Sequence, residues 1–107
     1  ISSITGINIL GTVADKLVQQ GEKDSSKYLQ LALDDLHEWK INHIAISVEC
    51  LNPKISPKID LMKQKISTIC KIKIADVGIT ATSGEGLTAF GRGEGIQAIT
   101  IITVSKS

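Results

Sequence analysis

The chain has 107 residues, 42% of them apolar and 3% aromatic, and its 12 basic and 11 acidic side chains leave a formal net charge of +1. That length fits one small domain spanning residues 1–107. The near balance of charge and the scarcity of aromatics for base stacking give no nucleic-acid surface, and no apolar run reaches membrane-spanning length.

Ile1-Ser-Ser-Ile-Thr-Gly6 reads as the end of an element begun upstream, so the chain is expected to be part of a longer protein. No basic segment precedes an apolar one there, as it would in a signal peptide. Residues 7–20 predict a short helical turn or an ordered loop, and Gln19 to Lys23 a polar loop. Residues 24–40 predict a helix, with Asp24 or Ser25 as N-cap and Leu29, Ala32, Leu33, Leu36 and Trp39 at helical spacing. Residues 43–50 alternate as a strand, with Ile44, Ile46, Val48 and Cys50 on one face. Asn52-Pro53-Lys54 marks a turn. A second helix follows over 57–70, with Ser56 as N-cap, Pro57 in its first turn, and Ile59, Met62, Ile66 and Ile69 as its apolar stripe. A short strand over 77–82, a glycine-rich loop over 83–95 and a last strand over 96–104 complete the chain. The last strand is apolar on both faces, which predicts cover on both sides, one of them from a partner subunit. The order predicts an α/β (α+β) sandwich with helices on one face of the sheet. Cys50 and Cys70 form no C-x-x-C and read as two buried thiols in a reducing compartment.

Two segments carry chemistry. In the first, Thr82 and Ser83 place hydroxyls at a strand end, Glu85 follows, and glycines stand at 84, 86, 91, 93 and 95. Glycines let backbone N–H groups approach an anion. A carboxylate beside a phosphate is repelled unless a cation lies between, so Glu85 points to a bridging Mg²⁺ or Mn²⁺. Arg92 can pair with phosphate or with an acidic neighbour. The pattern is not a P-loop, and by itself it is equally a set of tight turns. The second segment is Cys50-Leu-Asn-Pro-Lys-Ile-Ser56, where Lys54 can meet a phosphate and Pro53 can form a flat wall, or where the chain simply turns from strand to helix.

Thr82-Ser83-Gly84-Glu85 followed by Gly91-Arg92-Gly93-Glu94-Gly95 resembles the signature of the 2-C-methyl-D-erythritol 2,4-cyclodiphosphate synthase family. Pro53-Lys54, Pro57, Ile59 and Met62-Lys63 are similar to a further pattern of that family, and Asp24-Ser25 to its Asp-Ser element. The resemblance implies a ferredoxin-like unit with a mixed sheet, incomplete at the N-terminus, that assembles as a cytoplasmic or plastid homotrimer. It implies a lyase of non-mevalonate isoprenoid biosynthesis, using zinc with magnesium or manganese. The substrate would be 4-diphosphocytidyl-2-C-methyl-D-erythritol 2-phosphate, and CMP would leave. Cys50, Leu51, Asn52, Pro53, Lys54, Ile55 and Ser56 would cradle the cytidine end. Thr82, Ser83, Gly84 and Glu85 would hold the diphosphate, with Ser83 and Glu85 catalytic and Glu85 on the second metal. Arg92 would contact substrate or the region of the trimer axis. The family's zinc ligands, an Asp-x-His pair and a further His, are not expected in this chain. Asp35-Leu36-His37 spells D-x-H, but in a helix residues two apart point about 200° apart, so both are expected on a solvated face. His43 opens a strand. Ile9-Leu10-Gly11 and Ala14-Asp15 replace the family's Asp-Ile-Gly and Phe-Pro-Asp, and Ala89 stands where it has a Phe. The alternatives are a non-catalytic trimeric assembly module of the same fold that lost its metal site, or a nucleotide-phosphate binding domain independent of metal.

Overall fold

A computed structural model describes residues 1–9, 11 and 13–106, without the side chains of Val13 and Ala14. Leu10, in the replaced Asp-Ile-Gly position, lies outside the described residues, as does the side chain of Ala14. The chain divides into two compact units, Ile1–Lys40 with Ser105–Ser107, and Ile41–Val104.

The first unit is helical. Helix α1 (Ser2–Thr5) is closed by Gly6 at φ 77°, and helix α2 covers Val13–Gln19. Helix α3 (Ser25–Asp34) packs against α2. Asp24 caps α3: its Oδ1 accepts from the Ser26 amide at 3.0 Å and from the Ser26 hydroxyl at 2.7 Å. The Tyr28 hydroxyl ties the helix to the preceding turn, donating to the Glu22 carbonyl at 2.8 Å.

Helix α3 stops six residues before the expected end at Lys40, because the chain is claimed by the sheet: strand β1 runs over Trp39–Cys50. Between them His37 takes a left-handed turn at φ 51°. Asp35 and His37 are therefore not on a helix face. The turn brings His37 Nε2 to 3.8 Å from Asp35 Oδ1. His37 is exposed, as expected, whereas Asp35 is half-buried and its Oδ2 has no hydrogen-bond partner among the described residues.

The second unit holds most of the sheet, in the order β2-β1-β3, with β2 at Val77–Thr82 and β3 at Ile96–Lys106. The sheet is mixed. Strands β1 and β2 are parallel, in register from Ile44 opposite Val77 to Glu49 opposite Thr82. Parallel neighbours need a crossover. A 3-10 turn (Ser56–Lys58), helix α4 (Ile59–Cys70) and a second 3-10 turn (Ile74–Asp76) supply it. Pro57 sits in the first turn, where its missing N–H costs nothing. The expected Ser56 cap is not used: Ile55 holds that position and no side chain bonds there. Lys71, left-handed at φ 57°, ends the helix.

Strand alternation sets the core. Val48, Cys50, Val77 and Ile79 are buried, and Ile59, Met62 and Ile66 of α4 pack on them. Cys50 is buried, whereas Cys70 is only half-buried. The opposite sheet face carries no helix of this unit. There Ser47, Glu49, Thr80, Thr82, Gln97 and Ile99 line an open groove of about 280 Å³.

Candidate functional site

Because β1 and β2 run parallel, their carboxyl ends share one edge of the sheet, with Glu49 beside Thr82. Ligands of such sheets bind outside the carboxyl ends of parallel strands. Both segments singled out in the sequence leave from this edge.

The first loop follows β1. The Cys50 thiol donates to the carbonyls of Asn52 at 3.1 Å and Pro53 at 3.4 Å, so it turns the chain rather than facing outward. The Asn52–Pro53 peptide is cis. Ile55 packs on the core, while Leu51, Asn52, Pro53, Lys54 and Ser56 are exposed. Cys50 and Ile55 thus anchor the loop, and the rest presents it.

The second loop follows β2 and folds on itself. Thr82 Oγ1 accepts the Gly84 amide at 3.1 Å, and Ser83 Oγ accepts the Glu85 amide at 3.4 Å. Gly84 at φ 74° and Glu85 at φ 50° and ψ 28° are both left-handed. For a residue with a Cβ that conformation is unfavourable by about 1–2 kcal/mol. It holds the exposed Glu85 carboxylate at the bend. Leu87 N–H closes the turn on Gly84 O at 2.9 Å. Further on, Thr88 Oγ1 accepts the Gly91 amide at 3.0 Å and its hydroxyl donates to the Glu49 carboxylate. The Arg92 guanidinium meets the Glu94 carboxylate with two N···O separations of 3.4 Å. The loops approach at Gly93, where an added Cβ would lie 3.4 Å from Leu51 Cδ2.

The loops therefore present hydroxyls, glycine backbone, Lys54 and Arg92, with Glu94 paired to Arg92, Glu49 held by Thr88 and the Glu85 carboxylate exposed, a set suited to a phosphorylated ligand. Among the described residues no three His, Cys, Asp or Glu side chains gather to hold a metal ion. Tetrahedral zinc does not fit such a donor set. Glu85 alone fits a hard divalent cation that takes its other oxygens from phosphates and water. The other thiol, Cys70, ends α4 outside both loops, and burial pushes its pKa up.

Sequence reasoning missed Glu49 and Thr88. Glu49 looks like an outward residue of an alternating strand, and nothing local links it to a threonine far along the chain.

A parallel strand pair with two loops leaving its carboxyl edge, on a mixed three-stranded sheet with helices, defines an α+β fold. The chain belongs to the YgbB family, whose sequence pattern it matches over residues 1–105. It is 47% identical over 107 residues to the 2-C-methyl-D-erythritol 2,4-cyclodiphosphate synthase of Chlamydia muridarum, covering 98% of this chain and 60% of that one. It is 46% identical to the synthase of the same name from Chlamydia caviae, covering 99% and 61%. The chain thus spans about three fifths of the length of these relatives. Among solved structures, the 2C-methyl-D-erythritol 2,4-cyclodiphosphate synthase of Plasmodium vivax matches with TM-score 0.74 and 24% identity, over 80% of this chain and 59% of that one. The Plasmodium falciparum IspF in complex with CDP matches with TM-score 0.74 and 22% identity, over 92% and 65%. These structures share the fold described above.

Proposed function

We propose that this chain carries the diphosphate- and cytidine-binding part of a 2-C-methyl-D-erythritol 2,4-cyclodiphosphate synthase, and that residues 1–107 belong to one such domain. The observation that supports it most is the shared edge: parallel β1 and β2 deliver the Cys50–Ser56 and Thr82–Gly95 segments side by side. Relatives at 41–47% identity that bear the synthase name favour the enzyme over a non-catalytic assembly module.

In the proposed reaction an oxygen of the 2-phosphate bonds to the β-phosphorus, the bond from that phosphorus to the bridging oxygen breaks, and CMP leaves. The nucleophile is already anionic, so no strong base is needed, and catalysis is positioning and charge neutralisation. Leu51, Asn52 and Pro53 bound the cytidine and Lys54 meets its phosphates, while Cys50, Ile55 and Ser56 shape the loop. Thr82, Ser83 and Gly84 hold the diphosphate, with the Ser83 hydroxyl directed at charge that develops during transfer. Arg92 exchanges its Glu94 partner for phosphate. Glu85 would hold a divalent cation together with the phosphates, and such a cation supplies charge neutralisation and orientation. The family's zinc ligands are not among the residues this site brings together. The working form is proposed to be a homotrimer, supported by the exposed Ile96, Ile99 and Ile101 on β3. No helix among the described residues is long and apolar enough to cross a membrane. Free thiols at Cys50 and Cys70 support a reducing compartment such as the cytoplasm.

CMP release by the intact protein tests this. Ser83→Ala is expected to lower kcat about 100-fold while CDP binding changes little. Glu85→Gln is expected to weaken the dependence of turnover on magnesium or manganese. Equal losses of turnover and CDP binding in Ser83→Ala would remove its transition-state role, and unchanged metal dependence would remove the role given to Glu85.

A further inference from the structure

The folded shape of the glycine loop has a definite anchor on the sheet. A threonine hydroxyl has one proton to give and two lone pairs to receive. At Thr88 one lone pair takes the Gly91 amide, with N···O at 3.0 Å. The proton goes to Oε1 of Glu49. A directed chain therefore runs from Gly91 N–H to the Thr88 hydroxyl to the Glu49 carboxylate. A hydrogen bond to a charged acceptor is roughly twice as strong as one between neutral groups.

What this chain fixes is the approach of two glycines. An added Cβ on Gly91 would lie 2.7 Å from Gly84 O and 3.0 Å from Gly86 N. One on Gly84 would lie 2.8 Å from Gly91 Cα and would also strike the Glu49 carboxylate. Glu49, Gly84 and Gly91 thus occupy one crossing point, and Gly84 stands between Ser83 and Glu85. Glu49 is half-buried on β1 and paired in register with Thr82, the last residue of β2 before the loop. A rigid strand can hold the loop against thermal displacement in a way that the loop's own turns cannot.

We propose that Glu49 is a positioning residue: through Thr88 and Gly91 it locks the Gly84–Gly91 crossing and so sets where Ser83 and Glu85 stand. It touches neither substrate nor metal. This rests on the cyclodiphosphate synthase reading for its effect on turnover. Its effect on the shape of the loop stands apart from that reading.

Two side-chain properties separate this role from a ligand role. A glutamine at 49 keeps an oxygen that accepts the Thr88 hydroxyl but loses the charge. A leucine keeps bulk but accepts nothing. In the intact protein, Glu49→Leu and Thr88→Val are each expected to lower kcat about 10-fold or more, since small misplacements of reacting groups are costly in rate. The Glu49→Leu/Thr88→Val double variant is expected to fall no further than Thr88→Val alone, because Glu49 acts through the Thr88 hydroxyl that this change already removes. Glu49→Gln is expected to restore turnover to within about threefold of the parent, because the acceptor survives. Amide hydrogen exchange gives the second readout: Gly91 N–H is expected to exchange about 10-fold faster in Glu49→Leu and in Thr88→Val, but not in Glu49→Gln.

Additive losses in the double variant would overturn the proposal. So would a Glu49→Gln loss equal to that of Glu49→Leu, which would make the charge itself the function. Unchanged Gly91 exchange in Glu49→Leu would overturn it as well. A parent protein that neither releases CMP nor binds CDP would sink the synthase reading alone, and the exchange arm would still decide the role of Glu49.

Discussion

A methyl group on Gly91 would sit 2.7 Å from Gly84 O and 2.8 Å from Gly84 C, two backbone atoms that cannot swing aside. Gly91 is buried, and its requirement for glycine comes from this close approach. Gly84 is doubly constrained, by contact and by its φ of 74°. Gly91→Ala is therefore expected to cost about 1–3 kcal/mol, the usual range for overpacking a filled site. It should also weaken CDP binding, because the crossing that it forces apart carries Ser83 and Glu85. Gly86 is the internal control. It too has a positive φ, 75°, but nothing lies within 4 Å of its added Cβ. If Gly86→Ala lowers CDP affinity as far as Gly91→Ala, measured by titration calorimetry, the crossing is not what matters.

Elements were legible where local pattern and tertiary contact agree. The short strand over 77–82 coincides with β2, since Val77 and Ile79 point inward at a period of two. The second helix coincides with α4, apart from its opening 3-10 turn. The helix expected over 24–40 ends earlier, as α3 at Asp34, although Leu36 and Trp39 keep helical spacing beyond it. Pairing in the sheet overrode that spacing from Trp39 onward. The candidate loops were legible from glycine, hydroxyl and charge pattern. Their adjacency was not, because it depends on β1 and β2 being parallel neighbours. The packing of β2 is accordingly the element-scale support of the site. Ile79→Ala, at a position 9% exposed in the core cluster, is expected to cost about 2–4 kcal/mol by chemical denaturation. Ile74→Ala, 48% exposed, should cost much less. A loss at Ile74 as large as at Ile79 would mean that α4 and β2 do not form the stabilising layer.

For the whole molecule, β3 is where the chain is least self-sufficient. The sequence predicted cover on both of its faces, yet Ile96, Ile99 and Ile101 are 57%, 56% and 67% exposed. Side chains alternate along a strand, so Ile99 and Ile101 share one face and Ile96 lies on the other; open isoleucines on a strand are the kind of surface that a partner covers. Strand β3 also flanks β1 at the edge of the described sheet, so it lacks a further strand on its outer side. Lys106, near its end, is exposed, with Nζ lying 5.1 Å from the centre of the Trp39 ring. The proposed homotrimer would bury the isoleucines. Replacing two of them by a charged side chain sets the desolvation of that charge against association. Ile99→Lys with Ile101→Lys is therefore expected to weaken assembly by about 2 kcal/mol or more, the scale of a buried interface anchor. Sedimentation of the intact protein across a dilution series should show the variant dissociating at concentrations where the parent remains trimeric. Its circular dichroism should stay close to the parent's, since both side chains already face solvent within the chain. Turnover should fall together with assembly and recover as protein concentration rises. A variant that stays assembled at every dilution would place the subunit interface elsewhere, and β3 would then need another explanation for its apolar face.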